Sequence, residues 1–126
     1  MRILKNRWFT KFAGKQSITD AALAEAIRRA EAGLIDADLG GGIIKQRIAR
    51  EGEGRSGGYR TIILFRVAER AVFVFGFAKS GQANLTPREL KEFREAAAIT
   101  LAFTESQIAT EVAAGHLIEV QDDQDL

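Results

Sequence analysis

Residues 40–79 read GGGIIKQRIAREGEGRSGGYRTIILFRVAERAVFVFGFAK, and this stretch decides the fold. Its first run, Ile43 to Ala49, alternates. Ile44 and Ile48 share one face, and Lys45 and Arg47 share the other with Ile43 and Ala49; period two is the signature of a strand. Two cations side by side on one strand face need either solvent or an anion. Tyr59 to Val67 is β-branched and aromatic, apolar on both faces in its middle, which suits a central strand. Ala71 to Ala78 repeats that character, with Glu69-Arg70 marking the turn between the two. Arg50 to Gly58 holds four glycines, too many and over too long a span for a two-residue hairpin turn, so a flexible loop is expected there.

Pairing the last two runs as a hairpin brings Arg60, which opens one, and Lys79, which closes the other, to the same end of a sheet. Pairing the Lys45 strand with the Arg60 strand brings Lys45, Arg47 and Tyr59 towards the same region.

Upstream, Met1 to Lys5 reads as a short edge strand. Asn6 to Gly14 carries Trp8, Phe9 and Phe12 at the spacing of one helical face, and those rings read as packing rather than as a grip on nucleic acid. Ser17, with Asp20 three residues on, reads as the N-cap of a second helix. Leu23, Ile27, Ala30 and Leu34 recur along it at helical spacing, and Gly33 serves as its C-cap. Leu34 to Gly42 reads as a loop with Asp36 and Asp38 as ordinary turn residues; two carboxylates lack the further oxygen ligands of a calcium loop.

Downstream, Thr86-Pro87-Arg88-Glu89 is a strong helix start, with a Thr cap, Pro at the first helical position and Glu at the third. Thr104-Glu105-Ser106-Gln107 is a second capping box. His116 to Val120 is a short strand or extended arm, and 121–126 is an acidic, frayed tail. The order predicts an α+β domain over residues 1–120, an antiparallel sheet of about four strands with helices packed against one side.

Composition narrows the function. A chain of 126 residues with 46% hydrophobic and 28% charged content is one ordinary globular domain. It has no cysteine, which excludes disulfides, thiolate metal sites and thiol nucleophiles. The N-terminus has no uninterrupted apolar run, so neither a signal peptide nor a membrane span is expected, and the cytoplasm is the expected location. The net charge of +1 hides an asymmetry: residues 1–79 carry 15 Lys+Arg against 8 Asp+Glu, and residues 80–126 carry 3 against 9. A basic body suits a polyanion partner, most readily RNA.

The residues at the strand ends suit RNA cleavage without a metal or cofactor. Arg47 and Arg60 can clamp a phosphate bidentately, and preorganised cations stabilise charge developing there. Lys45 or Lys79 can act as acid or base, given a pKa lowered by neighbouring cations. Tyr59 offers a hydroxyl for proton transfer or a ring for base stacking. Arg50 and Arg55 would lie along a nucleic-acid backbone. The glycine-rich segment lacks the Lys-Ser/Thr ending of a P-loop. His116, the only histidine, falls in the tail region and reads as a surface or packing residue.

Lys45-Gln-Arg47-Ile-Ala-Arg50, the Gly-x-Gly-Arg-Ser-Gly-Gly segment, Tyr59-Arg60-Thr61 and Phe77-Ala-Lys79 together resemble the HigB-like branch of the RelE/ParE toxin superfamily, over roughly residues 3–120. The resemblance implies a compact antiparallel sheet flanked by helices and the toxin of a type II toxin–antitoxin pair. RelE-like members cleave messenger RNA in the ribosomal A site; ParE-like members share the fold and poison DNA gyrase instead. By this resemblance Lys45, Arg47, Arg60 and Lys79 are the catalytic basic set. Arg50 and Arg55 match the positively charged loop, and Tyr59 and Phe77 contact RNA. Phe77 stands where relatives often carry tyrosine, and a phenyl ring stacks but moves no proton. The implied partners are mRNA on the ribosome and a cognate antitoxin of the helix-turn-helix type. A plain RNA-binding module is the remaining alternative.

Overall fold

The computed structural model describes residues 1–50, 54–78 and 84–121. Ten elements follow in order among them: β1 (Arg2–Asn6), α1 (Arg7–Gln16), α2 (Asp20–Glu31), β2 (Ala37–Gly40), β3 (Ile43–Arg50), β4 (Gly54–Arg66), β5 (Arg70–Ala78), α3 (Pro87–Thr100), α4 (Glu105–Ala113) and β6 (Leu117–Glu119). The strands form one sheet of order β2-β3-β4-β5-β1-β6. Only β1 and β5 run parallel; the other neighbours are antiparallel. The architecture is α+β, as the sequence predicts.

Six strands replace the expected four because both edges are short. β2 was expected to be loop: it has four residues, Ala-Asp-Leu-Gly, and its alternation is only half-buried against half-exposed. β6 has three residues and pairs antiparallel with β1. The glycine-rich loop shrinks in turn. Arg50 pairs with Gly54, so β4 begins well before Tyr59, and the predicted loop reaches the described residues mainly as strand.

The helices occupy both faces rather than one. Residues 61–65 and 70–74 are buried throughout, so each face of the central strands needs its own cover. On one face Phe9 and Ala13 of α1 and Leu23, Ala26, Ile27 and Ala30 of α2 pack on Ile44, Ile48, Ile63 and Phe73. On the other, Ala97, Leu101, Ile108 and Leu117 pack on Leu4, Ile43, Ile62, Leu64 and Val72.

Local chemistry sets the helix ends. Asn6 caps α1 by accepting from the Phe9 N–H at 2.7 Å. Ser17 is not an N-cap. It closes α1 in the left-handed region at φ 56°, and Thr19, in extended conformation, caps α2 by accepting from Ala22 N–H. Two hydroxyl residues compete for one cap, and α1 runs two residues past Gly14 and takes the first. Ala32 is the C-cap of α2, and Gly33 follows it at φ 86°, with Leu34 N–H reaching back to Arg29 O. Both downstream capping boxes form as expected, at Thr86/Glu89 and Thr104/Gln107. Of the acidic tail, 122–126 lie outside the described residues, and the Gln121 N–H donates to Asp20 at 2.9 Å.

Candidate nucleic-acid interface

The β3–β4 register pairs Arg47 with Arg60 and Lys45 with Ile62, and the β4–β5 register pairs Arg60 with Phe77 and Ile62 with Phe75. Partners across an antiparallel pair project to the same face. Lys45, Arg47, Arg60, Phe75 and Phe77 therefore share the α3 side of the sheet. The end of β4 and β5 where they gather is opposite the Arg66–Arg70 turn.

Like charges directly opposed across strands destabilise a sheet, and here two guanidiniums oppose with a lysine one step along. The cost is visible at Arg60, whose Nη1 is buried with no hydrogen-bond partner. A buried donor left unpaired costs about 1–3 kcal/mol, more when charged. Lys45, Arg47 and Arg60 line a shallow recess with Asp36 and Ala37, about 270 Å³ in volume. That volume suits a phosphate and part of its sugar rather than a whole cofactor.

Asp36 is the residue that the sequence passes over. It accepts from the Arg47 backbone N–H at 2.7 Å and stands 3.7 Å from Arg47 Nε and 3.6 Å from Arg29 Nη1. Its own N–H donates to Gln46 Oε1 at 2.7 Å. Gln46 is fully buried beneath the recess and spends its amide on Ala26 O and Leu34 O, tying α2 to the edge strand. Only the unexpected strand β2 brings Asp36 here, so spacing alone offered no signal. Lys45 Nζ reaches Asn84 Oδ1 at 3.4 Å, at the approach to α3.

Not every expected residue joins the cluster. Tyr59 pairs with Ile48 and faces the α1–α2 side. It is 3% exposed, its hydroxyl donates to Gln16 at 3.1 Å, and Phe12 meets its ring edge-on at 5.9 Å. Tyr59 and Arg60 are adjacent in sequence and so lie on opposite faces, which removes Tyr59 from the expected region. Phe77 shares the cationic face but is 7% exposed, packed beside Phe75 at 6.0 Å. Lys79 and the side chains of Arg50 and Arg55 lie outside the described residues. His116 precedes the far edge strand β6, three strands from β4, and pairs with Glu111 at 2.7 Å.

Turn geometry positions the cover over this face. Gly40, Gly41 and Gly42 all have positive φ, and a Cβ on Gly41 or Gly42 would come within 2.9 Å of Arg94 or Leu101 of the α3 segment. Arg94 returns the contact by donating to Leu39 O at 2.6 Å. At the opposite end of the sheet Arg70 and Arg2 both hold Glu105, and Arg2 also holds Glu119, which fastens α4 and β6. The Arg70 hydrogen bond is the main reason that the Glu105 carboxyl titrates below its ordinary range.

Among the described residues no group of three or more His, Cys, Asp or Glu is placed to hold a metal ion. No described helix is long and apolar enough to cross a membrane. A family model described as RelE toxin of RelE / RelB toxin-antitoxin system matches residues 1–120. A search of the curated proteins found no match.

Proposed function

The chain belongs to the family of RelE toxins, the toxin halves of toxin–antitoxin systems, and from that premise we propose that it is a HigB-like endoribonuclease that cuts messenger RNA on the ribosome. The observation that carries the reading is the cross-strand pair Arg47–Arg60 with Lys45 beside it, three cations around a recess that the one carboxylate of Asp36 only partly neutralises.

In this reading Arg60 and Arg47 grip the non-bridging oxygens of the scissile phosphate, and the unpaired Nη1 of Arg60 gains its partner. The ribose 2′-oxygen attacks phosphorus, the bond to the 5′-oxygen breaks, and a 2′,3′-cyclic phosphate remains. The 2′-hydroxyl loses a proton and the leaving 5′-oxygen gains one. Lys45 serves one of these transfers and Lys79 the other. The guanidiniums stabilise the extra charge of the pentacoordinate state more strongly than that of the ground state, which is the condition for catalysis. Arg50 and Arg55 would follow the RNA backbone beyond the cut. The cytoplasm, translating mRNA and an antitoxin of the helix-turn-helix type complete the proposal.

A second reading has its own support. Tyr59 turns its hydroxyl to the other face, and Phe77 has none. A face that binds RNA tightly but, among the described residues, brings no tyrosine hydroxyl or imidazole for proton transfer could bind without cutting.

One experiment separates them: inducible expression in bacteria, with growth and mRNA 5′ ends measured for wild type and Arg60→Ala. Growth arrest with new cuts inside translated codons, both lost in the variant, is the expected result. Arrest without cuts would point to gyrase or another target, and no arrest from soluble, folded protein would leave the binding module.

A further inference from the structure

We infer that Trp8 is a stacking platform for an RNA base, extending the cationic face around the edge of β5. This rests on the RNA reading above and adds a subsite to it.

Three aromatic residues of α1 divide their work. Phe9 is fully buried in the core and Phe12 is half-buried against it, but Trp8 is 46% exposed. Nearly half of the indole therefore faces solvent. It is nevertheless held firmly. Its ring stacks on Phe12 at 5.4 Å and 14°, and meets Phe75 at 4.6 Å and 31°. Phe12 in turn lies on Gly76, where a Cβ would come within 2.6 Å of the phenyl ring. The missing side chain at Gly76 lets Phe12 sit on the strand and carry Trp8 with it.

The position follows from the sheet. β1 pairs with β5 only as far as Phe73, and beyond it Asn6 Nδ2 takes Val74 O at 3.2 Å, so the start of α1 covers the remaining edge. Trp8 wraps that edge. It touches Phe12 on one face and Phe75 on the other, and Phe75 shares its face with Phe77 and Arg60. An aromatic row thus runs from an exposed indole to the unpaired guanidinium.

The charge around it indicates the ligand. Exposed Arg7, Lys11 and Lys15 lie on α1, which contains no acidic residue. Arg7 sits in the first turn, where the helix dipole disfavours a cation. Cations flanking a preorganised, open ring suit a single-stranded polyanion with stackable bases. They suit an apolar protein segment less well.

Trp8 is the only tryptophan, so its fluorescence reports on this site alone. The test titrates the full chain with a short, uncleavable 2′-O-methyl RNA at low salt. Indole emission and the anisotropy of a dye on the RNA are read together. The expected result is quenching with the same midpoint as the anisotropy change. Trp8→Ala should weaken binding by roughly tenfold, a loss in the range for one stacked base, and Trp8→Phe should recover most of it. The thermal midpoint of each variant shows that it is folded. Binding lost with Arg60→Ala but leaving emission unchanged, with Trp8→Ala as tight as wild type, would overturn the platform and leave the RNA reading standing. No RNA binding by folded wild type would overturn both. Quenching by a cognate antitoxin but not by RNA would also overturn the platform, by giving this surface to a protein.

Discussion

At the scale of single residues, the opposed pair Arg47–Arg60 sets like charges across two strands, a cost that the proposed RNA surface would explain. Among the described residues the Arg60 side chain lines the recess with Asp36, Lys45 and Arg47, and its strand partners are Arg47 and Phe77. Arg60→Met keeps the length and apolar stem while removing the repulsion and the orphaned Nη1. Its unfolding free energy from urea titration should equal or exceed that of wild type, by up to about 1 kcal/mol, while RNA binding is lost. A clear loss of stability would show that Arg60 is structural. Gly42 is the opposite case. It has φ 83°, and an added Cβ would lie 2.9 Å from Leu101 Cδ1. Gly42→Ala should cost about 1–3 kcal/mol in urea unfolding, because both the backbone and the docked α3 segment resist it.

Among the elements, the C-terminal helices are the weakly held part of the fold. Only Ala97 of α3 is buried, and α4 is anchored by one fully buried residue, Ile108. Polar ties make up the difference. Glu105 receives Arg70 at 3.1 Å and Arg2 at 2.7 Å, binding the start of α4 to β5 and β1. Its carboxyl is held below the ordinary 4.5, chiefly by the Arg70 hydrogen bond. A depressed carboxyl stabilises the fold at pH above its unfolded value, and that contribution is lost as pH falls through the folded value. Between about pH 6 and about pH 3 the thermal midpoint of wild type should therefore fall further than that of Glu105→Gln. Glu105 is exposed, so salt should narrow the gap. Equal slopes at low salt would show that the contact contributes nothing in solution.

Across the whole molecule, charge is segregated. Residues 1–79 hold the cationic strands and α1, and residues 80–126 hold most of the carboxylates. The sheet presents Lys45, Arg47 and Arg60 together at one end, and Arg2, Arg70, Glu105 and Glu119 neutralise one another at the other. RNA affinity should then fall steeply with salt. Three phosphate contacts on a single strand give a log–log slope of about −2, and Arg60→Ala should reduce its size by about 0.7. A slope unaffected by that substitution would place the RNA on another surface.

The sequence by itself determined the two central strands, the two capping boxes, the α+β class and the basic residues of β3 and β4. These are local signals: period-two alternation at Ile43–Ala49, a β-branched and aromatic run at Tyr59–Val67 that is apolar on both faces in its middle, and Thr-x-x-Glu/Gln spacing. The resemblance carried by Lys45-Gln-Arg47-Ile-Ala-Arg50, the glycine-rich segment, Tyr59-Arg60-Thr61 and Phe77-Ala-Lys79 pointed to the RelE/ParE superfamily, and the RelE family model over residues 1–120 agrees. Tertiary structure decided what depends on partners far along the chain. β2 is too short to signal itself, β6 was legible only as a short strand or an arm, and both exist because β3 and β1 offer open edges. Asp36 reaches the recess only through β2, and Trp8 reaches Phe75 on the cationic face only because the pairing of β1 with β5 ends at Lys5 and Phe73. Tyr59 was lost from the expected cluster by the parity of the strand, since adjacent residues face opposite sides. Which side a residue meets is fixed by the register of its partners, and register is set by the burial of whole faces rather than by any local word of sequence.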